Sequence, residues 1–255
     1  MDPMTLGVGA LFVFGTIAVA LLAYSAMRAI VGGDYGSETQ DLAGSVIFRV
    51  SALHGLILAL IFAQEIQNYN LVRNDLVDEA TAIADIYNDI HRYGAESEGE
   101  VHAALSAYVR VVVDEEWPLL AESDRLAPEG WRLREIVYQA VLDLVPSTPR
   151  EEALRHHMID RAQAIATLRQ ERENSALNSP NGLFWFAALS GVVLVTLPYF
   201  IFSPTRLHLM LLSVYGGFSG IVMFIIYAIS DPFSAPGALA PVAFERLLET
   251  EIGDG

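Results

Sequence analysis

The apolar positions of this chain come in blocks. Residues 6–27, 44–65, 183–202 and 207–229 are each apolar over a stretch long enough to cross the ~30 Å hydrocarbon core of a bilayer as a helix. Residues 64–180, between the second and third blocks, follow a different pattern. There Leu76, Ala80, Ile83, Tyr87 and Ile90 recur at three- and four-residue spacing, as do Val101, Leu105, Tyr108 and Val112. That spacing predicts amphipathic helices with one buried stripe each. Neither glycine nor proline occurs between Gly55 and Gly94, so the second span is expected to run unbroken into the first of these helices. Further helices are expected from about Val101 to Trp117, over Trp131 to Leu144 and from Arg150 to about Leu177, punctuated by Pro118, Pro128, Pro146 and Pro149. Ser147 or Thr148 suits the cap of the last. No stretch alternates with the two-residue period of a strand. The expected fold class is an all-α membrane protein: a hairpin of spans in residues 1–63, a helical soluble domain in 64–180, a second hairpin in 181–230 and a tail in 231–255.

Spans one, three and four carry no charge inside. The Ser203-Pro204-Thr205-Arg206 turn joins the last two as an antiparallel hairpin, and Pro198 is expected to kink the third. Gly7, Gly9 and Gly15 in the first span, and the Gly216-Gly217-Phe218-Ser219-Gly220 run in the fourth, are candidates for close helix approach.

The second span differs. It holds Arg49, His54 and, at its end, Glu65. An ionisable group at membrane depth costs at least ~2.5–3.5 kcal/mol and normally faces a protein interior or a water-filled path. At 100° per residue, His54, Leu58, Ile61 and Glu65 share one side, with His54 and Glu65 about 20° apart. Arg49 lies about 140° from His54, with Leu53, Leu56 and Leu60 on its own side. This helix is therefore expected to line the inside of a symmetric homo-oligomer, one of its two faces seeing the axis and the other packing against a neighbouring helix, with His54, Arg49 and Glu65 setting charge preference. The plainer readings are a hydrogen-bonded core histidine, and an arginine that snorkels or pairs with a carboxylate such as Asp41.

Composition agrees with a membrane protein: 53% of residues are hydrophobic and mean hydropathy is +0.38. The formal net charge of −16 argues against nucleic acid as a partner. The sequence has no cysteine, so disulfides and thiolate metal sites are excluded. Asp75, Asp78, Asp85 and Asp89 fall in a sector about 80° wide, either an acidic vestibule or a solvated face. Glu152, His156 and Asp160 share a helix face beside His157, but without H-E-x-x-H no metal site is assigned. Asp231-Pro232-Phe233 reads as a structural turn leaving the membrane. The sequence shows no phosphate-binding loop, nucleophile elbow or paired catalytic carboxylates, so neither an enzyme nor a cofactor is expected.

The order of the local motifs resembles the bestrophin-like bacterial membrane proteins. The matching pieces are Leu76-Val77-Asp78-Glu79-Ala80-Thr81-Ala82-Ile83 after the second span, the run from Tyr108 to Trp117 (YVRVVVDEEW), the two-plus-two span layout and Asp231-Pro232-Phe233-Ser234 after the last span. The resemblance covers nearly the whole chain. It implies a pentameric ion channel in the bacterial inner (cytoplasmic) membrane, with the second helix lining the pore, Leu58 and Ile61 as its narrow apolar, dewetting constriction, and the soluble domain and termini in the cytoplasm. It also implies an anion as the conducted ion, whereas the acidic sector favours a cation. No acidic calcium clasp aligns. A non-conducting scaffold or sensor, whose soluble domain recruits partners, is the alternative.

Overall fold

The computed structural model describes residues 3–177 and 182–252, which form helices joined by short loops and turns, with no strand among them. The helices are α1 (Pro3–Val31), α2 (Ser37–Tyr93), α3 (Glu98–Val111), α4 (Trp117–Ser123), α5 (Pro128–Leu142), α6 (Pro149–Leu177), α7 (Gly182–Thr196), α8 (Arg206–Ser230) and α9 (Val242–Leu247). Four of them, α1, α2, α7 with its 3-10 extension and α8, are long and apolar enough to cross a membrane. The chain divides into two compact units, Met1–Gln67 with Pro180–Ser230 and Asn68–Ser179 with Asp231–Gly255. The boundary expected at 180/181 lies outside the described residues.

In the first unit α8 packs chiefly on α1, although α7 precedes it in sequence. The reason is the glycine run. A Cβ added to Gly216 would sit 3.0 Å from the Cα of Ile17, and one added to Gly220 would sit 2.7 Å from the carbonyl oxygen of Phe12. Only glycine permits that approach, and it lets Thr16 Oγ1 donate to the carbonyl of Gly216 at 2.8 Å. The glycines of α1 play no such part: a Cβ on Gly7 or Gly15 meets nothing within 4 Å, and one on Gly9 meets only the Phe224 ring. Pro198 ends the α-helical part of the third span, which continues as a 3-10 turn over Leu197–Ile201. The carbonyls this leaves unpaired are capped from α1. Tyr24 Oη donates to Phe202 at 3.0 Å and Arg28 Nη1 to Phe200 at 2.9 Å.

The second unit is a conventional apolar core. The stripe of α2 expected from spacing is buried at Leu76, Ala80, Ile83 and Ile90, and Val101, Leu105, Tyr108 and Val112 of the next helix meet it. Tyr87 is half-buried and stacks on His102 at 3.7 Å between ring centroids. Gly94, at φ +73°, ends α2. Its amide reaches back to the carbonyls of Ile90 and His91, a left-handed cap that a Cβ would strain. Pro118 was expected to interrupt the chain, and it does not. The helix widens into a π turn over Val112–Glu116 and runs on into α4. The wider turn moves the carbonyl with which the proline ring would collide, and it seats Glu116 in the core. Thr148 caps α6: its hydroxyl accepts the amide of Glu151, whose carboxylate accepts the amide of Ser147.

Candidate functional site

Within the first unit the two sides of α2 have different surroundings. His54 and Leu58 are each only 5% exposed, whereas Leu53, Leu56 and Leu60 are 61%, 56% and 63% exposed. Leu58 packs with Ala188 of α7 and Met223 of α8. His54 lies over Gly191, where any Cβ would collide with the ring. Its Nε2 is 3.1 Å from the carbonyl oxygen of Ala188, and its Nδ1 is 2.7 Å from the hydroxyl of Tyr215. A carbonyl can only accept, so Nε2 carries the proton; in the neutral ring Nδ1 then accepts from Tyr215. Both ring nitrogens are satisfied inside one chain. The side expected to face an axis is thus the side that fastens α2 to α7 and α8. Ile61 and Glu65, on the same side, are half-buried.

Arg49 lies on the other side, exposed, with no ion pair or side-chain hydrogen bond among the described residues. With Leu53, Leu56 and Leu60 it occupies about 60° of the helix circumference. No other described residue of the chain covers this face.

The four aspartates of the acidic sector do not act together. Asp85 pairs with Arg161 at 2.9 Å. Asp89 is buried between Arg92 at 2.8 Å and His157 at 2.6 Å. Only Asp75 and Asp78 remain without a cation among the described residues. Partial burial, then Glu171 and then Asp78, push the Asp75 carboxyl above the usual carboxylate range. His156 and Glu152 stand 4.0 Å apart on an exposed surface. Among the described residues no trio of metal-ligating side chains converges. At the start of the tail, Asp231 Oδ1 accepts the amides of Phe233 and Ser234 at 3.0 and 3.1 Å, and Phe233 packs edge-on to Trp117.

One constellation in the second unit escaped the sequence reading. Glu79, Tyr108, Glu116, Arg169 and Arg172 are each at most 2% exposed. Nη1 and Nη2 of Arg169 both donate to the Glu116 carboxylate, and Nη2 also donates to the carbonyl of Ala127 at 2.8 Å. Arg172 bridges the two acids, lying 2.9 Å from Glu116 and 3.0 Å from Glu79. Tyr108 Oη donates to Glu79 at 2.5 Å. Burial pushes the Glu79 carboxyl upward, against the opposing pull of Arg172 and Tyr108. Gly130 must be glycine here, because the Arg169 guanidinium occupies the place of its Cβ. Glu79, Tyr108 and Glu116 come from the two motifs nearest the second span, so those motifs carry the charged centre of the second unit's core.

These features can be set beside known proteins. Among curated proteins no sequence matches. A crystal structure of a bacterial bestrophin homologue from Klebsiella pneumoniae, bearing a leucine-to-threonine mutation, superposes with a TM-score of 0.65 at 13% identity, covering 94% of this chain and 98% of that one. An isoleucine-to-threonine variant of the Klebsiella homologue gives 0.65 at 13% identity, over 96% and 99%. A structure described only as a membrane protein, with a glycine-to-alanine change, gives 0.67 at 13% identity, over 96% and 97%. At that identity the likeness is one of fold. The model of the bestrophin-like domain matches residues 14–244 of the sequence. With four membrane-crossing helices, an unbroken α2 and a match over nearly its whole length, this chain belongs to the bestrophin-like family of membrane proteins.

Proposed function

We propose that several copies of this chain, five by analogy with bestrophins, assemble into an ion channel whose pore is lined by the exposed face of α2. One observation carries the reading. Among the described residues of a single chain the face bearing Arg49, Leu53, Leu56 and Leu60 is bare, and its arginine has no partner. A guanidinium facing lipid is unfavourable by at least ~2.5–3.5 kcal/mol at mid-bilayer, whereas one facing a water-filled path keeps its hydration. Leucines repeated around a symmetry axis would form an apolar constriction that gates by dewetting. The reading keeps α2 as the lining helix and moves the constriction from Leu58 and Ile61 to Leu56 and Leu60. His54 becomes a positioning residue that holds α2 against α7 and α8.

The ion is an anion in this reading. Arg49 is the charged group at membrane depth on the lining face. Asp85 and Asp89 are paired with cations of their own unit, and Asp75 and Asp78, without a cation among the described residues, lie beyond the span. The second unit and both termini face the cytoplasm, and the membrane is the bacterial inner membrane. Function is transport without chemistry, and no cofactor enters it.

Flux from liposomes holding the purified oligomer tests the choice of face. Leu56→Ala with Leu60→Ala should raise anion flux by widening the constriction. Leu58→Ala should leave flux near the wild-type level and lower thermal stability by about 2–5 kcal/mol, the usual consequence of a core cavity. The opposite pattern would place the lining on the His54 side. No flux from any folded variant would favour the scaffold.

A further inference from the structure

A trough of about 490 Å³ runs along the second unit between α2 and the returning segment that ends in α9. Leu76, Ala80 and Leu247 form its floor and are buried. Val77 and Val242 form its walls, each 51% exposed. Four polar side chains reach it: Arg73, Thr81, Arg246 and Thr250. Both threonine hydroxyls donate to carbonyls of their own helical turns, Thr81 to Val77 and Thr250 to Arg246, each at 2.8 Å. Their methyls are left for the trough. Arg73 and Arg246 are exposed, and neither side chain has a hydrogen-bond or ion-pair partner among the described residues. Among the described residues no carboxylate lines the trough, in a chain with 31 acidic and 15 basic residues. Positive charge over an apolar floor is therefore a local inversion of the protein's overall character.

We infer that this trough binds a single-chain anionic amphiphile, a long-chain fatty acid, with its carboxylate held by Arg73 or Arg246 and its alkyl chain on the floor of Leu76, Ala80 and Leu247. The chemistry matches at both ends. A guanidinium is the best side-chain partner for a carboxylate, and the floor has no polar group for the chain to desolvate. The trough's volume of about 490 Å³ falls within the range of about 300–1,000 Å³ typical of small-molecule sites. A fatty acid partitions into the bilayer that four helices of this chain are built to cross, so it is available where the protein resides.

Trp117 supplies a reporter, since its indole Nε1 donates to the carbonyl of Leu239, a residue of the trough wall, at 2.8 Å. The test uses full-length protein in nanodiscs of zwitterionic lipid, with Trp131 and Trp185 replaced by phenylalanine. Dibromostearic acid and its methyl ester are the probes, and tryptophan quenching is the readout. The inference predicts saturable quenching by the acid, at least tenfold weaker for the ester. Arg73→Gln with Arg246→Gln should weaken the acid at least tenfold, and Val77→Glu should abolish saturation by adding a carboxylate. Both sets lie on exposed positions, and retention of the wild-type unfolding midpoint confirms their fold. Equal, non-saturating quenching by acid and ester would mean partitioning into lipid only and would overturn the inference. So would a fall in oligomer mass on the double arginine substitution, since the trough would then be a contact between copies.

Discussion

Arg49 and Arg169 show how differently the two units handle charge. In the second unit two arginines and two glutamates are taken out of water together, and each guanidinium meets a carboxylate. In the first unit no described acid is brought to Arg49, and the buried polar side chains Thr16 and His54 make neutral contacts, Thr16 to a carbonyl and His54 to a carbonyl and a hydroxyl. The second unit neutralises its buried charges internally, as a domain with a finished core does. The first unit leaves one charge on an uncovered face, as a subunit does when its neighbours complete it.

The comparison can be broken at several points. The largest effect should come from Glu116→Ala, which leaves Arg169 and Arg172 buried without their shared carboxylate. Breaking a buried pair in this way typically loses about 3–5 kcal/mol, so the thermal unfolding midpoint should drop steeply. Next is Gly220→Val in α8. The added methyls would meet Thr16 and the Phe12 backbone, and overpacking of this kind costs about 1–3 kcal/mol. Alanine at Gly7 should change almost nothing, because that position opens to empty space. Smallest is a pH effect at Glu79. Its folded-state pKa is raised by burial, so its stabilising contribution is complete below the ordinary carboxylate pKa of about 4.3 and is lost as pH rises through the folded value. Glu79→Gln mimics the protonated form, so the variant should gain on the wild type as pH rises from about 4 to 7. Parallel melting curves across that range would contradict the assignment.

Much of this architecture is legible in the sequence, for physical reasons that can be named. The four spans are visible because uncharged blocks of that length have few other uses. The continuity of α2 is visible because nothing between Gly55 and Gly94 can stop a helix. The covered side of α2 is not visible. The helical wheel gives the angle between Arg49 and His54, but apolar residues fill both sides. The choice depends on Gly191 and Tyr215, which lie in distant spans. The buried ion network left a trace that was open to reading. Arg169 and Arg172 continue the spacing of Ala162 and Ile165 toward Ala176, so they sit on the buried stripe of α6. Glu79 likewise lies between Leu76 and Ile83 on the stripe of α2. Charges on an apolar stripe signal burial with partners, whereas Asp85 and Asp89 seemed a single acidic face until their separate cations were located.

The most direct test of the central claim is the reversal potential of the reconstituted wild type and Arg49→Glu under a potassium chloride gradient. A pore lined by the exposed face of α2 predicts anion preference in the wild type and a shift toward cations in the variant, with the oligomer intact. A conducting variant with unchanged preference would remove Arg49 and its face from the path.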